Sequence, residues 1–457
     1  MKTNLLILLL FFIISCSNQK GNNPKEASDT EVETLLEVKK SAEQGVAEAQ
    51  YTLGFMYYNG DGTLTDKKQA FYWYKKSAEQ GVAEAQYALG GMSYNGDGTL
   101  TDKKQAFYWY KKSAEQGNVN AQFTLGIMYS NGDGVLTDKK QAFYWYKKSA
   151  EQGDVNAQFT LGIMYSNGDG VLTDKKQAFY WYKKSAEQGD VNAQYALGIM
   201  YSNGDGVLTD KKQAFYWYKK SAEQGDVNAQ FTLGGMSYNG DGVLTDKKQA
   251  FYWYKKSAEQ GHAKAQYALG FMYYNGDGIL TDKKQAFYWY KKSAEQGHAK
   301  AQYNLGVMYS HGDGVLTDKK QAFYWYKKSA EQGVVNAQFN LGVMSYNGDG
   351  ILTDKKQAFY WYKKSAEQGH AEAQYTLGVM SYNGDGILTD KKQAFYWYKK
   401  SAEQGHAEAQ YTLGVMSYNG DGILTDKKQA AFWIRKSYKN GLEEAKEFWD
   451  DKELYKY

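Results

Sequence analysis

The apolar residues of this chain return in one fixed order. After Val46, the residues Ala49, Leu53 and Met56 fall at helical spacing, and the run stops at Asn59-Gly60, where glycine suits the left-handed residue that closes a helix. This pattern predicts a first helix, A. Gly54 in its middle costs helix propensity, so it reads as room for the close approach of a neighbouring helix. A loop follows, Asn59-Gly60-Asp61-Gly62-Thr63-Leu64-Thr65, after which Asp66 and Gln69 make a capping-box start for a second helix, B. On helix B, Ala70, Trp73, Tyr74, Ser77 and Ala78 share one face, with Phe71 at its edge. Lys68, Tyr72, Lys75, Lys76 and Glu79 point the other way, and Gly81 ends the helix.

This hairpin returns every 36 residues without a change in length: Gln50, Gln86, Gln122 and their successors to Gln410 mark eleven whole units over 46–441. A period of that size predicts an all-α solenoid, because one hairpin cannot bury its apolar face alone and must stack on its neighbours. Length alone would suggest about three domains; the period replaces that with one array. Both ends read as caps. Residues 31–45, with Leu35 to Gly45 matching a lone helix B, form the N-terminal cap. Residues 442–457 form the C-terminal cap, a lone helix A with Trp449 in the place of Leu53, after a last helix B in which Ile434 replaces the usual Tyr and Tyr438 the usual Ala.

The residues carrying the pattern are Ala49-Gln50-Tyr51 with Leu53-Gly54, the Gly60-Asp61-Gly62 loop, and Trp73-Tyr74-Lys75-Lys76-Ser77-Ala78-Glu79-Gln80-Gly81. They resemble the Sel-one-like repeat family, relatives of the tetratricopeptide repeats. The resemblance implies a right-handed superhelix of helix-turn-helix units, used as a scaffold for protein-protein interaction, with helix A lining its concave side. The loop departs from common members in lacking proline, with Leu64 and Thr65 in its place.

The N-terminus carries a different signal. Lys2 precedes an apolar run from Leu5 to Ile14, then Ser15 and Cys16, and the chain turns polar at once. That run is too short to span a bilayer. With Cys16 as the sole cysteine, it resembles a bacterial lipoprotein signal: residues 1–15 are removed, Cys16 is acylated, and 16–30 serve as a flexible tether reaching about 20 Å. Ser17 resembles the pattern of lipoproteins forwarded to the outer membrane. An acylated Cys16 leaves no thiol for disulfides or thiolate catalysis, so the exported array rests on packing.

Composition narrows the chemistry. A net charge of +4 gives no field for nucleic acid, and 16% aromatic residues argue against disorder. A cysteine-rich branch of the resembled family is linked to β-lactams and penicillin binding, but this chain lacks those cysteines. Ser77 and its equivalents have no histidine at a fixed offset to activate them, so no enzyme and no cofactor is expected, and a cell-wall peptide or β-lactam hydrolase is the third reading. The loop imitates the middle of an EF-hand but puts Tyr57 and Lys68 where the first and twelfth ligands belong, so no metal is expected. His262, His298, His370 and His406 open their units and read as exposed turn residues, too far apart along the array to share a metal.

Two surfaces are candidates for a partner. On helix A the Phe55-type and Tyr57-type positions vary between units, and the expected concave contact set is Phe55, Tyr57, Ile127, Tyr129, Ile163, Tyr165, Ile199, Tyr201, Phe271, Tyr273, Val307 and Tyr309. The expected partner is a protein or peptide of the cell envelope. On helix B, Tyr72 and its equivalents repeat unchanged beside lysines, a convex stripe suited to a glycan or to lipid headgroups, which makes a surface adhesin the alternative.

Overall fold

The computed structural model describes residues 29–457, with side chains from residue 33 onward; the signal segment and Cys16 lie outside the described residues. Among these residues there are 24 α-helices, one short 3-10 turn and no strand, the architecture of an α-solenoid. They form two compact units, one running to Met200 and taking in Gly204–Leu208, the other made of Tyr201–Asn203 and Thr209–Tyr457.

The hairpin expected from the pattern is present. In the first repeat, helix A spans Ala47–Asn59 and ends on Gly60 at φ 82°, while helix B spans Lys67–Glu79. Asp66 caps helix B by accepting from the backbone N–H groups of Lys68 and Gln69, both at 3.0 Å. The other half of the capping box is not used, because the Asp66 backbone N–H donates to the Tyr57 carbonyl at 2.9 Å. Gly54 is buried, and a Cβ there would sit 2.8 Å from the Tyr74 ring, so its missing side chain is what lets the two helices of a hairpin meet. Gly98 has a different reason: at φ 69°, any Cβ would run into the Lys67 carbonyl of the preceding repeat.

Apolar layers join one hairpin to the next. In the first compact unit, Trp181 packs on a cluster that includes Ala142, Tyr146, Leu161 and Met164. In the second, Trp325 sits in the same way on Ala286, Tyr290, Leu305 and Met308. Burial pushes the Tyr146 hydroxyl up to about 12, so these core tyrosines stay neutral.

A polar seam runs through these layers. The buried Gln86 donates from Nε2 to the Ala78 carbonyl of the repeat before it at 3.1 Å, and its Oε1 accepts from Gln116 at 2.7 Å. Ser113 Oγ donates to the Ala83 carbonyl at 2.7 Å. Each buried polar atom of the seam is thus matched, which fixes the register of stacking where apolar contact alone would allow slippage. The loop aspartate also reaches outward. Asp133 accepts from Lys103 and, at 3.1 Å, from the Tyr94 hydroxyl, both in the preceding repeat.

The ends differ as caps do. At the N-terminal end, Asp29–Glu43 is a helix whose Ala42 is buried and whose carbonyl accepts from Gln50 at 3.0 Å. At the other end Ile434 stands over Gly414 where earlier repeats place a tyrosine. The last helix, Glu443–Asp451, has 9 residues, and the 3-10 turn Leu454–Lys456 after it buries Leu454 against Ile434 and Ala445.

Candidate functional site

Each helix A buries Leu53-, Gly54- and Met56-type residues and leaves a stripe at the positions of Glu48, Thr52, Phe55 and Asn59, which lie three or four apart and therefore share a face. The proposed contact residues divide on this geometry. Phe55 and Phe271 are exposed by 47% and 39% and belong to the stripe. Ile127, Ile163, Ile199 and Val307 are half-buried on the same stripe. The tyrosines lie one turn edge away, all half-buried: Tyr57 packs on the core, and Tyr129, Tyr165, Tyr273 and Tyr309 meet Phe107, Phe143, Phe251 and Phe287 edge-on with centroids 5.2 to 5.3 Å apart. Tyr201 is half-buried at the same position. These rings spend much of their surface within the fold, so Phe55 and Phe271 are the open members of the contact set.

The histidines are not the exposed turn residues expected from the sequence. Each is half-buried and caps its helix A, with Nδ1 of His262, His298, His370 and His406 accepting the backbone N–H three residues on at 3.2 to 3.3 Å. Each ring also lies against an aromatic residue of the preceding repeat, as His370 does on Phe339 with centroids 4.7 Å apart. Burial lowers the basicity of His262, His298 and His370 below the usual imidazole range. The position varies because it is a cap: Asn118, Asp154, Asp190 and Asp226 bond the same way, whereas Val46 and Val334 make no side-chain cap. Val46→Asp should therefore raise stability by about 0.5 to 2 kcal/mol, read as a higher denaturant midpoint; an unchanged midpoint would show that the cap bond contributes nothing here.

Helix B presents the tyrosine and lysine stripe, with Tyr72 exposed by 48% and its equivalents similarly placed. Its charges are largely engaged nearby. Lys76 lies over the Tyr72 ring at 5.8 Å, Lys75 pairs with Glu79 at 3.9 Å, and Lys67 pairs with Asp97 of the next repeat. The loop leucines are the most exposed apolar residues, from 82% at Leu64 to 92% at Leu244. Among the described residues no group of three or more His, Cys, Asp or Glu side chains could hold a metal ion, and no helix is long and apolar enough to cross a membrane.

The described fold and faces define a helical-repeat protein whose surface is built from copies of one hairpin. The chain belongs to the Sel1 repeat family: that family's profile matches eleven times, at 47–82, 83–118, 119–154, 155–190, 191–226, 227–262, 263–298, 299–334, 335–370, 371–406 and 407–442. Sel1 repeats typically mediate protein-protein interactions. Among solved structures it is similar to a protective antigen of uropathogenic Escherichia coli strains that displays an SLR fold, with 40% identity over 92% of this chain and 90% of that one, and a TM-score of 0.82. A Sel1 repeat protein from Oxalobacter formigenes is 32% identical over 67% of this chain and 90% of its own, with a TM-score of 0.54. No curated protein gives a significant match.

Proposed function

We propose that this protein is a non-catalytic scaffold of the bacterial cell envelope, exported, held at the outer membrane by an acylated Cys16, and binding a protein or peptide partner along the exposed stripe of its A helices. One observation carries the reading. From Leu64 to Gly81 the first ten units are identical, so the differences among those units fall on helix A and the residues beside it, where the open stripe lies. A partner that distinguishes one part of the array from another has that stripe to read. The description of the Escherichia coli relative as a protective antigen supports an exported position, since an antigen of that kind is reached by antibodies.

The test is in-cell crosslinking of the tagged protein against a variant with Phe55, Ile127, Ile163 and Phe271 changed to serine, alongside Cys16→Ala. The expected result is one recurrent captured protein, lost in the serine variant, and release of the Cys16→Ala form from the membrane fraction. Capture that ignores the serine changes would remove the A-helix face as the site.

A second reading, glycan binding on the B-helix side, is favoured by a groove in the second compact unit. It has a volume of about 480 Å³ and is lined by Tyr252, Trp253, Lys256, Glu223 and Glu259 among others. An aromatic wall beside amides and carboxylates suits a sugar. If the crosslinked material is glycan and capture is lost in Tyr252→Ala, this reading replaces the first.

A further inference from the structure

The stripe along the A helices changes sign. At the Glu48 position the units carry Glu48 and Glu84, then Asn120, Asn156, Asn192 and Asn228, then Lys264 and Lys300, then Asn336, and last Glu372 and Glu408. Two of these stations share one arrangement with opposite charge. His406 is flanked by the residue at this position in its own repeat and in the one before: its Nε2 lies 2.8 Å from Glu372 and its Nδ1 3.3 Å from Glu408. His298 has the same register and the same cap, with Nδ1 accepting from Ala301 at 3.3 Å and the ring against Tyr267 at 4.8 Å, but the flanking residues are Lys264 and Lys300. At His406 the Nε2 nitrogen has a carboxylate partner in Glu372, while Nδ1 is taken up as acceptor of the Ala409 N–H. At His298 both flanking positions carry lysines where His406 has glutamates.

We propose that Lys264 and Lys300, on either side of His298, form a cationic station that receives the carboxylates of an acidic segment of the protein partner, an inference that rests on the A-helix face being the partner surface. Both lysines are exposed, and neither makes an ion pair among the described residues. Their placement works against the fold's own electrostatics. Each sits in the first turn of its helix, Ala263–Asn275 or Ala299–His311, where the partial positive charge of the helix end disfavours a cation and favours the glutamate found in four other units. The neighbouring stations hold Asn228 and Asn336, so the positive charge is not neutralised from either side. Burial first, and then Lys264 and Lys300, lower the basicity of His298 below the usual imidazole range.

The same helices say what kind of anion this is. Phe271 and Val307 lie seven residues after Lys264 and Lys300, on the same helix faces and about 10 Å along. A ligand crossing the station meets a cation and then an apolar side chain on each helix. That alternation suits a peptide carrying acidic and apolar residues. Nucleic acid would require a continuous run of cations.

The experiment measures binding of a fluorescein-labelled peptide of six glutamates to the full chain and to a K264E/K300E variant. That variant recreates the arrangement already present at Glu372 and Glu408, so it should fold, and its melting curve checks this. Saturable binding to the native chain that weakens at least about tenfold in the variant, and likewise in high salt, is the expected result. Equal affinity for both proteins would overturn the proposal, as would displacement of the peptide by an equal concentration of inorganic phosphate, which would mark a site for free anions. In the crosslinking assay, K264E/K300E should lose the captured protein. If it keeps a client that the serine variant loses, the station is wrong and the A-helix face stands; if both variants keep it, the face itself is wrong.

Discussion

Trp325→Ala should destabilise the second compact unit by about 3 to 5 kcal/mol. The ring is 7% exposed and lies in one cluster with Tyr290, Ala294, Leu305 and Met308, so it closes the layer between two hairpins. It also meets Tyr324 edge-on, with centroids 4.9 Å apart. Truncation leaves a cavity that backbone stacking cannot collapse, because the glutamine bonds hold the hairpins in place: Gln302 donates to the Ala294 carbonyl at 3.0 Å and accepts from Gln332 at 2.7 Å. Repeat arrays lose stability locally, through the altered unit and its interfaces. Hydrogen exchange should therefore quicken first in Lys283–Glu295, Ala299–His311 and Lys319–Glu331. If neither exchange nor the melting curve moves, the tryptophan does not hold the hairpins together.

Gly126→Ala is expected to reverse the usual sign of a glycine substitution. In an open helix the change stabilises by about 1 kcal/mol. Here the added Cβ would stand 2.7 Å from two carbons of the Tyr146 ring, which is 5% exposed and cannot swing away. A loss of about 1 to 3 kcal/mol follows from overpacking. Tyr146→Ala alone should also destabilise, yet the double variant should cost less than the sum, with a coupling of about 0.5 to 3 kcal/mol. Simple additivity would mean that the glycine is not there to admit the ring.

Much of this was legible in the sequence, for identifiable reasons. The helix ends were readable because Gly60 and Asp66 do local work, and Gly54 was readable because a glycine inside a helix needs a packing reason. What escaped was contact across repeats. Gln50 served only as a marker of the period, although a glutamine three residues before Leu53 on a buried face signals a polar atom with a partner, here the Ala42 carbonyl. The capping histidines escaped because a residue just ahead of a helix reads as an exposed turn, although Asn and Asp at the same place cap the helix in the same way. The loop aspartates escaped because Tyr94 and Asp133 lie 39 residues apart and no local pattern pairs them. The charge stations needed both levels: Lys264 and Lys300 stand plainly in the sequence, but only the bonds around His406 show what that register does when it is satisfied.

The glutamine seam has a consequence for heredity. Its bonds use backbone carbonyls and side chains that the internal repeats share, so the seam itself carries no record of which repeat belongs beside which. A whole repeat gained or lost within a compact unit leaves every seam bond with an equivalent partner. The seam therefore does not police copy number or order. The string of acidic, neutral and basic stations can be respelled by recombination between near-identical stretches of gene, with the seam indifferent and the partner left to notice.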